Sequence, residues 1–139
     1  FTAKDRKIIG PFIAKRKILN GTSWITEVME DKKISDLIMR IAKLIDNKGS
    51  FNIQLRKSRR GPIPFEFNPR FSGTTSIRSN HGFNEPEMFI KSFFQNKPLK
   101  KPIIKKGICL RYIEEIFLDG IPKSKMSKNF GKGQIRSWF

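Results

Sequence analysis

Acidic residues, cysteine and histidine are scarce in this 139-residue chain. Asp and Glu number 12 against 29 Lys and Arg, which leaves a net charge of +17. The single cysteine, Cys109, excludes an internal disulfide and any cysteine-cluster metal site. One thiol accords with a reducing compartment, and a cytoplasmic protein is expected. On its predicted strand Cys109 reads as a buried small hydrophobe. His81, the only histidine, reads as a loop residue beside Gly82 rather than as a catalyst. No apolar run approaches the roughly 20 residues that span a bilayer, and residues 1–14 lack the basic-then-apolar pattern of a secretory signal. No membrane partner is expected.

What is present is apolar enough to fold: hydrophobic residues make up 37%, which sets the chain apart from disordered sequences of similar charge. The length suits one domain or one lobe of a larger one. The chain opens on Phe1 and reads as a piece of a longer protein.

Strand material at 7–14 is broken by Gly10-Pro11. Lys15-Arg16-Lys17 then leads into Asn20-Gly21, a hairpin turn signal, and Thr22–Met29 reads as the return strand. The clearest helix is Ser35–Lys48. Leu37, Ile38, Ile41, Ala42, Leu44 and Ile45 make its apolar stripe, Ser35 or Asp36 its cap, and Gly49 its left-handed stop. Phe51–Arg56 and Ile63–Asn68 both alternate across the polar turn 57–62, as a hairpin does. Pairing Leu55 with Phe65 and Ile53 with Phe67 gathers the apolar residues on a core face. A short helical turn follows at 76–80. A helix then starts at Asn84 or Glu85 with Met88, Phe89, Phe93 and Phe94 on its buried side. Residues 97–106 read as a Pro/Lys linker, 107–118 as a strand, and 121–139 as a loosely ordered basic tail. The fold class is therefore α+β, an antiparallel sheet with helices on one face. We divide it into residues 1–97 and a linker, strand and tail at 98–139.

The hairpin register sets Gln54 opposite Glu66, with Asn68 two residues on along the same face. These are three oxygen donors of the kind Mg²⁺ prefers, with one carboxylate among them, which suits a cation held mainly by phosphate. Arg70 follows, a guanidinium able to grip a phosphate or carboxylate in two-pronged fashion. Ser72-Gly73-Thr74 offers backbone N–H groups to an anion. Such a site performs phosphoryl transfer by position and charge neutralisation.

Asn52-Ile-Gln54, the run Phe65-Glu-Phe-Asn-Pro-Arg-Phe-Ser-Gly-Thr74, Arg78 and Gly82-Phe-Asn-Glu-Pro86 together resemble the ATP-grasp superfamily. The likeness is greatest to carbamoyl-phosphate synthase large-subunit-like members and related carboxylate–amine ligases. It extends upstream to Lys15-Arg16 and Asn20-Gly21 and downstream to Leu110-Arg-Tyr112, over roughly residues 7–118. The resemblance implies the C-terminal, incomplete lobe of an ATP-grasp fold. It implies Gln54, Glu66 and Asn68 as ligands of Mg²⁺, or of Mn²⁺ in its place, and Arg70 facing the phosphates or an acyl phosphate. Lys15, Arg16, Ser72, Gly73 and Arg78 become nucleotide or substrate contacts. ATP and a small carboxylate are the implied substrates, and an amine-type nucleophile displaces phosphate. Gln54 stands where many members carry an acid, which lowers the negative charge of the site. The phosphate-gripping lysines and adenine hinge of an N-terminal lobe are to come from elsewhere, in the same or another chain. Alone, the chain is expected to be inactive. Two alternatives stand beside this one: a basic nucleic-acid-binding module, motivated by the charge and the basic tail, and a non-catalytic subunit that completes its site with a partner. Self-association is left open.

Overall fold

The computed structural model describes residues 1–112, together with short strands at 117–119 and 134–136. Strands pair antiparallel throughout, and helices intervene between the paired segments, so the α+β class holds. The first hairpin joins β1 (Ala14–Leu19) to β2 (Thr22–Val28). Asn20 (φ 48°) and Gly21 (φ 74°) both take the left-handed conformation, which matches the twist of a two-residue turn. The strand β5 (Ile108–Leu110) adds to the other side of β2, giving the order β1-β2-β5. Alternation divides this sheet cleanly. Arg16, Thr26 and Cys109 share the inner face, whereas Ile25, Ile108 and Leu110 stand exposed on the outer one. Cys109 is half-buried, less enclosed than expected, because its strand lies at the sheet edge.

The helix α1 spans Lys32–Leu44, beginning three residues and ending four residues before the expected Ser35–Lys48. Asp31 is the cap. Its carboxylate accepts from Ile34 N at 3.1 Å and meets Lys57 Nζ at 2.7 Å. That start draws Ile34 into the buried side. At the other end the chain is claimed by Thr2, which exchanges two backbone hydrogen bonds with Gly49, so the helix stops at Ile45 in an extended conformation. Gly49 has φ +90°, but it serves this pairing and the Phe89 ring beside it, not the helix end.

The second hairpin joins β3 (Asn52–Ser58) to β4 (Gly61–Asn68). Ile53 pairs with Phe67 and Gln54 with Glu66, but Leu55 faces Pro64, not Phe65. Pro64 has no N–H to give the ladder, so the register slips there by one residue. A larger departure concerns the faces. Ile63, Phe65 and Phe67, the expected core face, are 52%, 56% and 46% exposed, while Glu66 and Asn68 are less accessible. Alternation determines which residues share a face; it does not say which face the rest of the chain covers.

The core lies elsewhere. Phe1, Ala3, Ile9, Phe83, Met88 and Leu99 cluster, so it is assembled largely by segments outside the sheets. Two short helices, α2 (Thr75–Asn80) and α3 (Glu85–Phe89), support it. Asn84 caps α3 by accepting from Glu87 N. The chain continues from α3 into a π-helical turn, Ile90–Phe94. The wider turn rotates the expected aromatic stripe. Ser92 comes to the inside and accepts from Lys4 N at 2.8 Å, and Phe94 is left 74% exposed.

Residues 97–106 are tied down. The His81 ring bonds the Lys105 carbonyl at 2.9 Å, and Lys105 N donates back to His81 O. Gly82 (φ +91°) lies so close to Ile103 that a Cβ would sit 2.2 Å from its carbonyl oxygen. The strand expected over 107–118 is β5 and then, past residues 113–116, β6 (Phe117–Asp119). β6 pairs with β7 (Gln134–Arg136), an element the composition of the tail did not suggest. The remainder of the expected loose tail falls outside the described residues. Among the described residues no helix is long and apolar enough to cross a membrane.

Candidate functional site

The β3–β4 ribbon sets its polar residues in two facing pairs, Gln54 opposite Glu66 and Asn52 opposite Asn68. Because the strands alternate, all four share one face. Asn68 Nδ2 donates to Glu66 Oε1 at 2.7 Å. Gln54 Oε1 accepts from Arg16 Nη2 at 2.6 Å, and the other fork of Arg16 donates to Ser23 Oγ at 3.1 Å. Arg16 thus reaches from the first sheet to the second, and the polar face of the ribbon looks toward β1. Asn52 was not singled out as a ligand from sequence, although its spacing of two from Gln54 was the available signal.

The other expected residues divide. Arg70 is exposed at the strand exit, where Nη2 reaches Asn68 Oδ1 at 3.3 Å and Nη1 donates to the Phe71 carbonyl at 3.0 Å. Lys15 alternates to the outer face of β1, exposed and opposite Glu27, so it does not join Arg16. The Ser72–Thr75 loop is closed on itself. Ser72 N donates to Thr75 Oγ1 and Thr74 N to Ser72 Oγ, both at 3.2 Å, and the Gly73 carbonyl accepts from Arg111 Nη2 at 2.8 Å. An anion seated on those two N–H groups would have to displace the hydroxyls.

Arg78 lies beneath this loop with its side chain 9% exposed. Nη1 is 2.9 Å from Glu85 Oε2, and Nη2 donates to Ser72 Oγ at 2.7 Å. Ser50 Oγ lies 2.7 Å from Glu85 Oε1 and 3.2 Å from the Arg70 carbonyl. Burial pushes the Arg78 guanidinium below its ordinary value. Glu85 opposes that shift, and the nearby positive Arg16 adds to it. Glu85 was read only as a helix start and part of the Gly82–Pro86 motif, with no site role, because an acid in the first turn after Asn84 is ordinary helix chemistry.

These pieces can be tested against a divalent cation. Among the described residues no three His, Cys, Asp or Glu cluster. The ribbon instead offers one carboxylate and amide oxygens, with Asn68 already touching Glu66. A half-turn of the Asn68 amide exchanges donor for acceptor. Hard oxygen donors of low total charge fit a cation whose remaining ligands are phosphate oxygens and water. Glu66 is the single anionic member of the set, and Gln54 Oε1 would have to exchange the Arg16 guanidinium for the cation.

Residues 3–116 match the model of a family described as ATP-grasp in the biosynthetic pathway with Ter operon. No curated protein matches the chain.

Proposed function

We propose, for a chain that belongs to the ATP-grasp family, that it is the C-terminal lobe of a carbamoyl-phosphate synthase-like carboxylate–amine ligase. Family membership indicates an ATP-dependent, ligase-like function; the subtype, the metal and the residue roles are our reading. Residues 1–97 are the lobe proper, and 98–139 the strap and tail that follow. The setting is cytoplasmic, and an N-terminal lobe in the same or another chain supplies the remaining nucleotide contacts.

The observation that carries the reading is the Gln54–Glu66 cross-strand pair with Asn68 bonded to Glu66. Gln54, Glu66 and Asn68 would hold Mg²⁺ or Mn²⁺, which when bound neutralises phosphate charge. Arg70 flanks that set and orients phosphate oxygens, and Arg16 beside Gln54 is a substrate contact. A substrate carboxylate oxygen attacks the γ-phosphorus of ATP and ADP leaves. An amine then attacks the acyl carbon and phosphate leaves. Arg78 is held by Glu85 and acts through Ser72, whose loop it fixes. In a preparation holding both lobes, Glu66→Ala should abolish ATP-dependent turnover and leave the unfolding midpoint nearly unchanged; full turnover would overturn the assignment.

A second reading has an observation of its own. Phe65 and Phe67 stand exposed on the outward face of β4, and the Arg56 guanidinium sits 5.8 Å over the Phe65 ring. Exposed aromatics beside basic residues make a stacking surface for single-stranded nucleic acid. Binding of an oligothymidylate at low salt, lost steeply as salt rises and lost in Phe65→Ala, would favour that reading.

A further inference from the structure

Among the described residues, three buried side-chain atoms have no hydrogen-bond partner: Thr26 Oγ1, Arg78 Nε and Glu85 Oε2, the last keeping only its charge contact with Arg78. Buried polar atoms rarely stay unsatisfied without a reason. All three belong to residues on the wall of one cavity of about 640 Å³. Its remaining walls are of two kinds. Ile34, Ile38 and Met39 of α1 supply an apolar side. Arg16 and Gln54 supply a polar side, and Arg16 is bonded there to neutral atoms only, Ser23 Oγ and Gln54 Oε1. The cavity is of the size that encloses a small organic ligand, with few polar groups and much hydrocarbon. Its one carboxylate, Glu85, is already committed to Arg78. The charge left over is positive.

We propose that this cavity binds an organic acid with an apolar body, its carboxylate at Arg16 beside Gln54 and its hydrocarbon along Ile34, Ile38 and Met39. The inference rests on the ligase reading for one point only, that such an acid is the substrate to be activated. Gln54 belongs both to the cavity wall and to the proposed ligand set, so the acid's reactive end lies next to the phosphate site. An acid as small as bicarbonate would leave the α1 wall uncovered. The substrate class is thus an aliphatic or aryl-aliphatic acid, and α1 is its specificity element.

The test is calorimetric titration of the chain with butyrate, hexanoate and octanoate, without nucleotide or metal. Affinity should rise about fourfold per added methylene, since each buried CH₂ contributes about that factor. Octanol should bind at least about tenfold more weakly than octanoate, as an arginine-bound carboxylate requires. Ile38→Trp, which fills the apolar side, should abolish octanoate binding, and Met39→Trp gives the same readout if the first variant does not fold. No octanoate binding by the wild-type chain, no gain with chain length, or equal binding of octanol overturns the proposal. The ligase reading is judged separately by the Glu66→Ala turnover. If octanoate binds while that turnover persists, the pocket stands and its place in the ligase does not.

Discussion

The polar face of the β3–β4 ribbon and the Arg78–Glu85 cluster lie close together and are built on opposite terms. On the ribbon, Gln54 and Glu66 are satisfied by partners that can be exchanged: a half-buried arginine and a neighbouring amide. In the cluster, Arg78 and Glu85 are sealed from water and committed to each other. A carboxylate that must accept a cation cannot already be locked to a guanidinium. A loop that must hold its shape under that carboxylate gains from such a lock. The molecule keeps the adaptable chemistry half-open and the supporting charge buried.

The contrast yields a ranked set of outcomes. The largest effect is expected from Glu85→Ala. Removing one partner of a buried ion pair strands the other charge and costs about 3–5 kcal/mol, a large part of the total stability of a domain this size. Denaturant unfolding measures it, and a loss below about 1 kcal/mol would mean the pair is not the support described. Next, Arg78→Met combined with Glu85→Leu should recover most of that loss, because an apolar pair of similar volume avoids the desolvation penalty. Failure to recover would shift the weight from the ion pair to the bonds with Ser72 and Ser50. Third, Glu66→Gln should move stability by no more than about 1 kcal/mol, the usual range for a half-exposed polar change, while weakening Mn²⁺ capture in a paramagnetic titration. A variant that unfolds would place Glu66 with the cluster and erase the contrast.

The smallest effect concerns Asp31. The Lys57 ammonium, then the Ile34 N–H, hold its carboxyl below the usual carboxylate value. A depressed folded value means the stabilisation is present above the ordinary pKa and is lost as pH falls through the folded one. Thermal midpoints should therefore converge for wild type and Asp31→Asn at strongly acidic pH and separate slightly at neutral pH. High salt should shrink the gap, since Lys57 is largely exposed.

Much of this arrangement was legible in the residues. Asn20-Gly21 announced the first turn, and the alternation of Phe51–Arg56 and Ile63–Asn68 gave the pairing of Gln54 with Glu66. What could not be read depended on distant parts of the chain. The helix start moved to Asp31 because Lys57, far along the sequence, completes that cap. The aromatic stripe failed at Phe94 because the π-helical turn brings Ser92 inside, where it accepts from the distant Lys4 N. The exposed Phe65 and Phe67 misled because period-two patterning carries no label for inside. Arg78, expected as a nucleotide or substrate contact, has Glu85 as its packed partner.

The slot at Gly82 has a mechanical corollary. β5, which borders the sheet carrying Arg16, is moored by residues 103–105 to the short connection between α2 and α3, and Arg111 fastens the strand's exit to Gly73. Irregular chain therefore ties the first sheet to the loops beside the ribbon, in addition to the direct Arg16–Gln54 bond between the two β units. A single methyl group at Gly82 would press on the Ile103 carbonyl and strain that mooring, away from every residue of the ribbon.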